Sequence, residues 1–228
     1  MSHGRNSSKH AVRRYYLMGV VGVGKSTLRE NLRTLIAAHE QEVAAGGVSI
    51  YTEFPQSRAA EVNHAKDTLS QCSAEEIQKW IFTQLADKNR LIVEDKSDLL
   101  LIDRTPLDTF AFYPPQEWQA RAQQMLEVLG STLALGELIF LEGSPAAIHK
   151  RMDNSRGYSV NTLAQQQSSF EILLDWLIEQ YNYQARRINV RGLAPPQVAE
   201  KALAIIKSED YTALDIQKVV EALAGGQE

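Results

Sequence analysis

The stretch GVVGVGKST, Gly19 to Thr27, most constrains what this chain can fold into. It fits the pattern Gly-x-x-x-x-Gly-Lys-Ser, in which backbone N–H groups surround phosphate oxygens. A strand-like run precedes it and an apolar helical periodicity follows it, so a helix N-terminus adds its dipole to the anion site. A glycine-rich turn without a ligand would not need a lysine and a serine here. The sequence therefore predicts a nucleotide-binding loop formed by Gly19, Gly22, Val23, Gly24, Lys25, Ser26 and Thr27.

Strand-like runs alternate with helical patterns along the chain. Strands are predicted at 13–18, 48–53, 99–103, 137–141 and 188–190, and helices near 26–45, 58–69, 74–94, 116–129, 145–153, 162–186 and 195–207. Alternation of this kind implies a parallel sheet between helices, with ligands at the carboxyl ends of the strands. We therefore predict an α/β, three-layer P-loop NTPase fold with a sheet of about five parallel strands.

The length of 228 residues suffices for one α/β domain with a full core. The polar segment 1–12 is predicted to be a disordered lead-in, and 13–207 is predicted to be the domain. The remaining segment, 208–228, is predicted to be a tail with one short amphipathic helix, 214–223, that packs on the domain or on a partner.

Composition bounds the surroundings in which the chain works. Its net charge of −4 argues against a nucleic-acid-coating surface, and its single cysteine, Cys72, fits a reducing compartment. No apolar run approaches the roughly 18 to 20 residues of a membrane span, and the N-terminus lacks a secretory apolar segment. We expect a cytoplasmic protein that binds neither membrane nor nucleic acid.

An acid and an arginine, Asp103-Arg104, end the apolar run Leu99 to Ile102. In this topology the end of that strand lies beside the phosphate loop, where Asp103 can hold a magnesium-bound water together with Ser26. The guanidinium of Arg104 can present two donors to a phosphate or orient a neighbouring carboxylate. The plainer alternative is that Asp103 caps the next helix.

Four segments resemble the deoxynucleoside kinase and thymidylate kinase group, in the same order along residues 13 to 207. They are LLLIDRTPLDTFAF, AEEIQKWIFTQLADKNRLI, IFLEGSPAAIHKRMDNSRGYS and RRINVRGLAPPQVAEKALAII. Only the phosphate loop is specific by itself, and the shared order carries the resemblance. It implies phosphoryl transfer from ATP with Mg²⁺ to a nucleoside or nucleotide. Trp176, Tyr181 and Tyr183 would pack internally or between subunits, so a homodimer is one expectation.

The third of these segments resembles the arginine-bearing lid of the group, here at about 150–161. Arginines that close over a transferring phosphoryl group stabilise its charge and exclude water. Arg151 and Arg156 are the candidates, although Tyr158-Ser159 stands where the group usually carries further arginines. The alternative interpretation is a solvated, basic helix end.

The end of the second predicted strand bears on the acceptor. A carboxylate there, Glu53, could take the proton of a nucleoside hydroxyl, whereas it would repel a monophosphate. Glu53 therefore favours a nucleoside kinase. The following stretch, Phe54-Pro55-x-x-Arg58, is similar to that of thymidylate kinases, and Arg58 could bind an acceptor phosphate, so a nucleoside monophosphate kinase stays as the alternative.

The base of the acceptor needs flat apolar walls and an edge to pair with. Trp80, Phe82, Phe110 and Phe112 are candidates for the walls, although such aromatics more often fill a core. The resemblance assigns the base-reading role to Gln84, whose amide offers both a donor and an acceptor. A surface glutamine is the alternative.

Other classes share the phosphate loop. A GTP-dependent switch needs Asn/Asp-Lys-x-Asp after a late strand, and Asp95-Lys96-Ser97-Asp98 has those letters but precedes a strand. A regulator that has lost its acceptor site would tolerate the incomplete lid. Kinases of sugars, cofactor precursors or polynucleotide ends remain open as well.

Overall fold

The computed structural model describes residues 12–39, 43, 46–53, 72–129, 133–152 and 157–225, which include a five-stranded, fully parallel sheet. The strands are β1 (Arg13–Met18), β2 (Val48–Tyr51), β3 (Leu99–Asp103), β4 (Glu137–Glu142) and β5 (Arg186–Asn189). Their order in the sheet is β2-β3-β1-β4-β5. β3 is buried along its whole length because it lies inside a sheet that is covered on both faces. The predicted parallel sheet is confirmed.

Helices flank the sheet. They are α1 (Lys25–Ala38), α2 (Ala74–Glu94), α3 (Trp118–Leu129), α4 (Pro145–Arg151), α5 (Val160–Tyr181), α6 (Pro195–Lys207) and α7 (Ile216–Gly225), with 3-10 helices at Pro106–Phe112 and Pro115–Glu117. α1 packs against α6, α2 against α3, and α5 against the first 3-10 helix. This is the α/β, three-layer P-loop NTPase arrangement, as the sequence predicts.

Local sequence explains where the main helices begin. At the start of α2, the hydroxyl of Ser73 accepts a hydrogen bond from the N–H of Glu76, and the N–H of Ser73 donates one to the carboxylate of Glu76. Both backbone donors are therefore satisfied. Two prolines open α6, at positions where a missing N–H costs nothing. On α1, the side chains of Leu28, Leu32 and Ile36 are buried on one face, as their spacing predicts.

The predicted ends of two helices are wrong. α5 stops at Tyr181, five residues before the predicted end, because Asn182 adopts the left-handed conformation (φ 49°) and closes the helix. The following strand consequently starts at Arg186 rather than at Ile188. α1 stops at Ala38, whereas helix was predicted to 45; Val43 is again helical, and the other residues of 40–45 lie outside the described ones. The 3-10 helix after β3 has no counterpart in the prediction.

The tail packs on the domain. Leu214 pairs with Gly136 in an antiparallel bridge, and Ile216, Val219 and Val220 of α7 are buried. The hydroxyl of Tyr211 accepts a hydrogen bond from the N–H of Arg14 at 3.1 Å and donates one to its carbonyl at 3.3 Å. The helix predicted at 58–69, together with residues 1–11, Arg58 and Arg156, lies outside the described residues. No helix among those described has the length and apolarity that a membrane crossing requires.

Candidate active site

The topology brings the predicted phosphate loop and the end of β3 together. The loop leaves the carboxyl end of β1, and β1 pairs with β3 so that Leu17 lies opposite Asp103. Three cavities open at this edge. The loop cavity, of about 300 Å³, is lined by Gly24, Lys25, Ser26, Thr27, Asp103 and Arg151 among others. The α2 cavity, of about 310 Å³, is lined by Ile81, Leu85, Asp108, Phe112, Tyr113 and Tyr158 among others.

Glu53 and Arg104 line both of these cavities and so form their common wall. The third cavity, which we call the α6 cavity, lies on the other side of the loop and has about 320 Å³. Its walls include Val23, Val190 and Leu193. Arg151, the last residue of α4, lines both the loop cavity and the α6 cavity. The three cavities therefore form a row in which charged side chains stand at each boundary.

Two glycines of the loop have backbone conformations that other residues avoid. Gly19 has φ 138°, and a Cβ there would lie 2.7 Å from the carbonyl oxygen of Leu141. Gly24 has φ 118°, and a Cβ there would meet nothing within 4 Å. The second position therefore leaves room for a ligand to approach the backbone at the start of α1.

Lys25 is only 6 % exposed, and its ammonium folds back onto the loop. It donates hydrogen bonds to the carbonyl of Gly19 at 2.5 Å and to that of Val20 at 3.1 Å. Burial, with a smaller contribution from the positive charge of Arg104, lowers the pKa of Lys25 to about 8. The amine is thus still mostly charged at neutral pH, and phosphate oxygens in the loop cavity could replace the two carbonyls as its partners. Gly19, which was predicted to bind the nucleotide, contacts Lys25 through its carbonyl but does not line the loop cavity.

Ser26 and Asp103 meet at the base of the loop cavity. The hydroxyl of Ser26 donates to Oδ2 of Asp103 at 3.3 Å, and the same oxygen receives Nη1 of Arg29 at 3.0 Å. The carboxylate is 3 % exposed, so the Arg29 guanidinium compensates a charge that solvent cannot. A hydroxyl and a carboxylate are the hard oxygen donors that Mg²⁺ takes alongside substrate phosphates and water. These two residues therefore fit a nucleotide-borne magnesium ion.

Glu53 and Arg104 form an ion pair across the wall between the loop and α2 cavities. Oε1 of Glu53 lies 2.7 Å from Nε of Arg104, although the N–H does not point at that oxygen with hydrogen-bond geometry. Arg104 has φ 68°, a left-handed conformation that is rare outside glycine and marks strain held by its surroundings. The backbone N–H of Arg104 donates to the carbonyl of Leu17 at 3.1 Å. Its guanidinium lies 5.8 Å from the ring centre of Phe112.

Sequence reasoning missed Lys88, which ties these strand ends together. Its side chain is 2 % exposed and donates to the carbonyls of Asp103 at 2.8 Å, Arg104 at 3.2 Å and Glu53 at 3.3 Å. Burial lowers the pKa of Lys88 to about 8, although the nearby carboxylates of Asp103, Asp108 and Glu53 oppose the shift. The signal available beforehand was a lysine on the apolar face of α2, four residues after Gln84.

Sequence reasoning also missed Asp108, a buried acid in the wall of the α2 cavity. It is 2 % exposed, and its Oδ2 accepts the N–H of Thr105 at 2.9 Å as half of a capping box for the 3-10 helix. Burial raises the pKa of Asp108 to about 6, opposed by the charges of Lys25 and Arg104. The pattern Thr105-x-x-Asp108, an acid in an otherwise apolar run, was the signal in the sequence.

Two residues predicted to contact the acceptor, Trp80 and Gln84, lie outside the wall of the α2 cavity. Ile81 and Leu85 turn toward the α2 cavity, but Trp80 and Gln84 do not line it. A helix turns about 100° per residue, so neighbours of cavity-lining residues face elsewhere. Gln84 is 3 % exposed, which excludes a surface role, and its Oε1 has no hydrogen-bond partner. Of the other aromatic candidates, Phe112 lines the cavity, whereas Phe82 and Phe110 lie in the core.

Comparison with known proteins bears on the fold. No protein-family model and no curated protein matches the sequence. Among solved structures, a thymidylate kinase from Ehrlichia chaffeensis is similar, with a TM-score of 0.56 over 86 % of this chain and 99 % of that one, at 9 % sequence identity. The chain thus shares the fold of that structure, which is consistent with the P-loop NTPase fold.

Proposed function

We propose that this protein is a P-loop kinase that transfers the γ-phosphoryl group of ATP to a nucleoside or a nucleoside monophosphate. The observation that carries the proposal is the common wall of Glu53 and Arg104. On one side of this wall lies the loop cavity, which the phosphate loop lines. On the other side lies the α2 cavity, which has the size of a small ligand and mostly apolar walls. A group transferred past this wall would pass from a nucleotide to a second molecule.

On the donor side, the backbone from Gly22 to Thr27 and the ammonium of Lys25 would hold the triphosphate, and the walls of the α6 cavity would take the base. Ser26 and Asp103 would hold the magnesium ion, which neutralises charge on the β- and γ-phosphate oxygens. Arg151 reaches both cavities and would contact the triphosphate as the γ-phosphoryl group leaves it. Arg156 has the same role in our proposal.

A nucleoside monophosphate is the acceptor that the fold comparison supports better, because the similar structure is a thymidylate kinase. In that case Arg104, and Arg58 outside the described residues, would bind the acceptor phosphate. Its anionic oxygen needs no general base. Glu53 would then serve to hold the guanidinium of Arg104 in place, as the 2.7 Å contact allows.

A nucleoside is the acceptor that the pair itself favours. The charge of Arg104 is already compensated by Glu53, and a second anion beside that carboxylate would be repelled. The hydroxyl oxygen of a nucleoside would attack the γ-phosphorus while the bond to the β-γ bridging oxygen breaks. Glu53 would accept the hydroxyl proton, and the bridging oxygen would leave on ADP.

A GTP-dependent switch is less well supported. The segment Asp95–Asp98 precedes β3, and Asp98 contacts the N–H of Gly46 before β2. It therefore lies at the end of the sheet opposite the phosphate loop, where it cannot contact a base bound there.

The test is nucleotide turnover by the purified chain with Mg²⁺, without an acceptor and with each of a panel of nucleosides and their monophosphates. A kinase should consume ATP at least tenfold faster with its acceptor, and mass spectrometry should find one added phosphate. Equal turnover with and without every acceptor would refute the proposal. A matched Lys25→Met variant, which loses the donor site, controls for contaminating kinases.

A further inference from the structure

One oxygen of the α2 cavity lacks a partner. Oδ1 of Asp108 accepts no hydrogen bond from any described residue, although the residue is 2 % exposed and lines the cavity. The other oxygen is fixed by the N–H of Thr105, which also fixes the orientation of the carboxylate. Buried polar atoms are almost always paired, so an orphaned one in a ligand-sized cavity calls for an explanation.

In the part of the chain that the structure describes, no neighbour supplies the missing donor. Lys25 and Arg104 influence Asp108 through their charges, but the ammonium donates to loop carbonyls and the guanidinium faces Glu53. The hydroxyl of Thr105 is engaged as the acceptor of the N–H of Leu107. The rest of the cavity wall is mostly apolar or aromatic, as at Leu85 and Phe112, and the hydroxyl-bearing residues in it, Thr109, Tyr113 and Tyr158, do not donate to this oxygen. Asp108 is thus a buried acceptor without a partner in the wall of a cavity of ligand size.

We propose that Oδ1 of Asp108 accepts a hydrogen bond from an N–H or O–H group of the acceptor, which makes Asp108 a specificity-determining residue. This inference rests on the proposed kinase function and adds to it that the acceptor carries a second donor besides the oxygen that receives the phosphoryl group. A sugar hydroxyl and an exocyclic amine of a base share this chemistry. An acceptor without such a group leaves the buried carboxylate unpaired and binds more weakly.

Asp108→Asn is the informative variant. Its amide oxygen can keep the hydrogen bond from Thr105, and its NH₂ group then stands where Oδ1 stood, so a donor replaces an acceptor at one point of the cavity. Asp215→Asn is the matched control, since Asp215 accepts the N–H of Lys218 at 3.1 Å in a similar cap on α7, away from the cavities.

The experiment measures kcat/KM for the best acceptor and for analogues that each lack one donor, with the 3′-hydroxyl or the exocyclic amine removed in turn. We expect the wild type to lose about 10- to 100-fold with one of these analogues, as for a hydrogen bond to a charged group. The analogue that causes the loss identifies the source of the donor. In Asp108→Asn that loss should shrink to about threefold or less, while Asp215→Asn should behave as wild type.

Two results would overturn the inference while leaving the kinase intact. The first is that the wild type has the same kcat/KM for the best acceptor and for every analogue that lacks a donor. This measurement needs no variant, so it decides even if Asp108→Asn fails to fold. The other is an equal loss in Asp108→Asn on all acceptors, with and without the donor. A wild type that phosphorylates no nucleoside and no monophosphate overturns the proposed function and this inference with it.

Discussion

Replacing Lys88 with methionine tests the central electrostatic claim about the site. In the folded chain the pKa of Lys88 is about 8, against an ordinary value of 10.5. The unfolded chain therefore binds more protons between pH 8 and pH 10.5, so the free energy of unfolding rises as the pH rises through this interval. As the pH falls through 8 this contribution is lost, because the buried amine must carry its charge. The full shift corresponds to about 3 kcal/mol.

Lys25 has a shift of the same size, so two lysines should contribute to this pH dependence. Urea unfolding followed by tryptophan fluorescence at pH 7.5, 8.5 and 9.5, without nucleotide, measures it. Lys88→Met should lower the slope of unfolding free energy against pH by about 1 kcal/mol per pH unit, which is close to one proton. The variant also leaves the carbonyls of Glu53, Asp103 and Arg104 without their lysine partner. The resulting loss of stability is the same at all three pH values, so it does not change the slope.

Lys201→Met is the control, because Lys201 is exposed on α6. Its slope should match that of the wild type. An unchanged slope in Lys88→Met would refute the argument that burial lowers the pKa of this lysine. It would also refute the claim that burying the charged amine between the strand ends destabilises the folded chain.

Three further predictions concern single positions. Glu53→Gln should reduce turnover of a nucleoside at least about 100-fold while ATP affinity stays unchanged in a fluorescent-nucleotide titration, and undiminished turnover would reject its role as a base. Gly19→Ala should lower the melting temperature more than Gly192→Ala, since both have positive φ but only the first meets backbone. Arg29→Met should lower the free energy of unfolding in urea by about 3 kcal/mol, because it removes one partner of a buried ion pair. The control, Arg33→Met, removes one partner of an exposed pair and should lower it by less than about 1 kcal/mol, so equal losses would contradict the prediction.

The parts of the fold set by local pattern could be predicted from the sequence. β1 and β3 have the predicted bounds because their apolar runs are short and end at glycine or at Asp103-Arg104. The end of α5 could not be predicted, since the apolar periodicity continues past Tyr181 and only the left-handed conformation of Asn182 ends the helix.

The candidate site divides in the same way. The phosphate loop has a fixed spacing, so its members are evident from the letters alone. Lys88 and Asp108 are far from it in sequence, and although each stands among apolar neighbours, those neighbours do not show that both side chains lie beside the loop. Their importance follows from three-dimensional proximity to Glu53, Asp103 and Arg104. Gln84 and Trp80 show the converse limit of sequence reasoning, because one helical step separates a residue that lines the α2 cavity from one that does not.

The contacts of Tyr211 have a consequence for how the chain is made. Arg14, near the start of the sheet's middle strand, has its backbone N–H and carbonyl satisfied by a hydroxyl that is translated almost two hundred residues later. Until residue 211 has been synthesised, these two backbone groups of Arg14 lack their hydroxyl partner, whereas the other edge of the strand can already pair with β3. This edge of the strand that feeds the phosphate loop is therefore completed only after residue 211 has been synthesised, and a chain that stops short of Tyr211 leaves the two backbone groups of Arg14 without their hydroxyl partner.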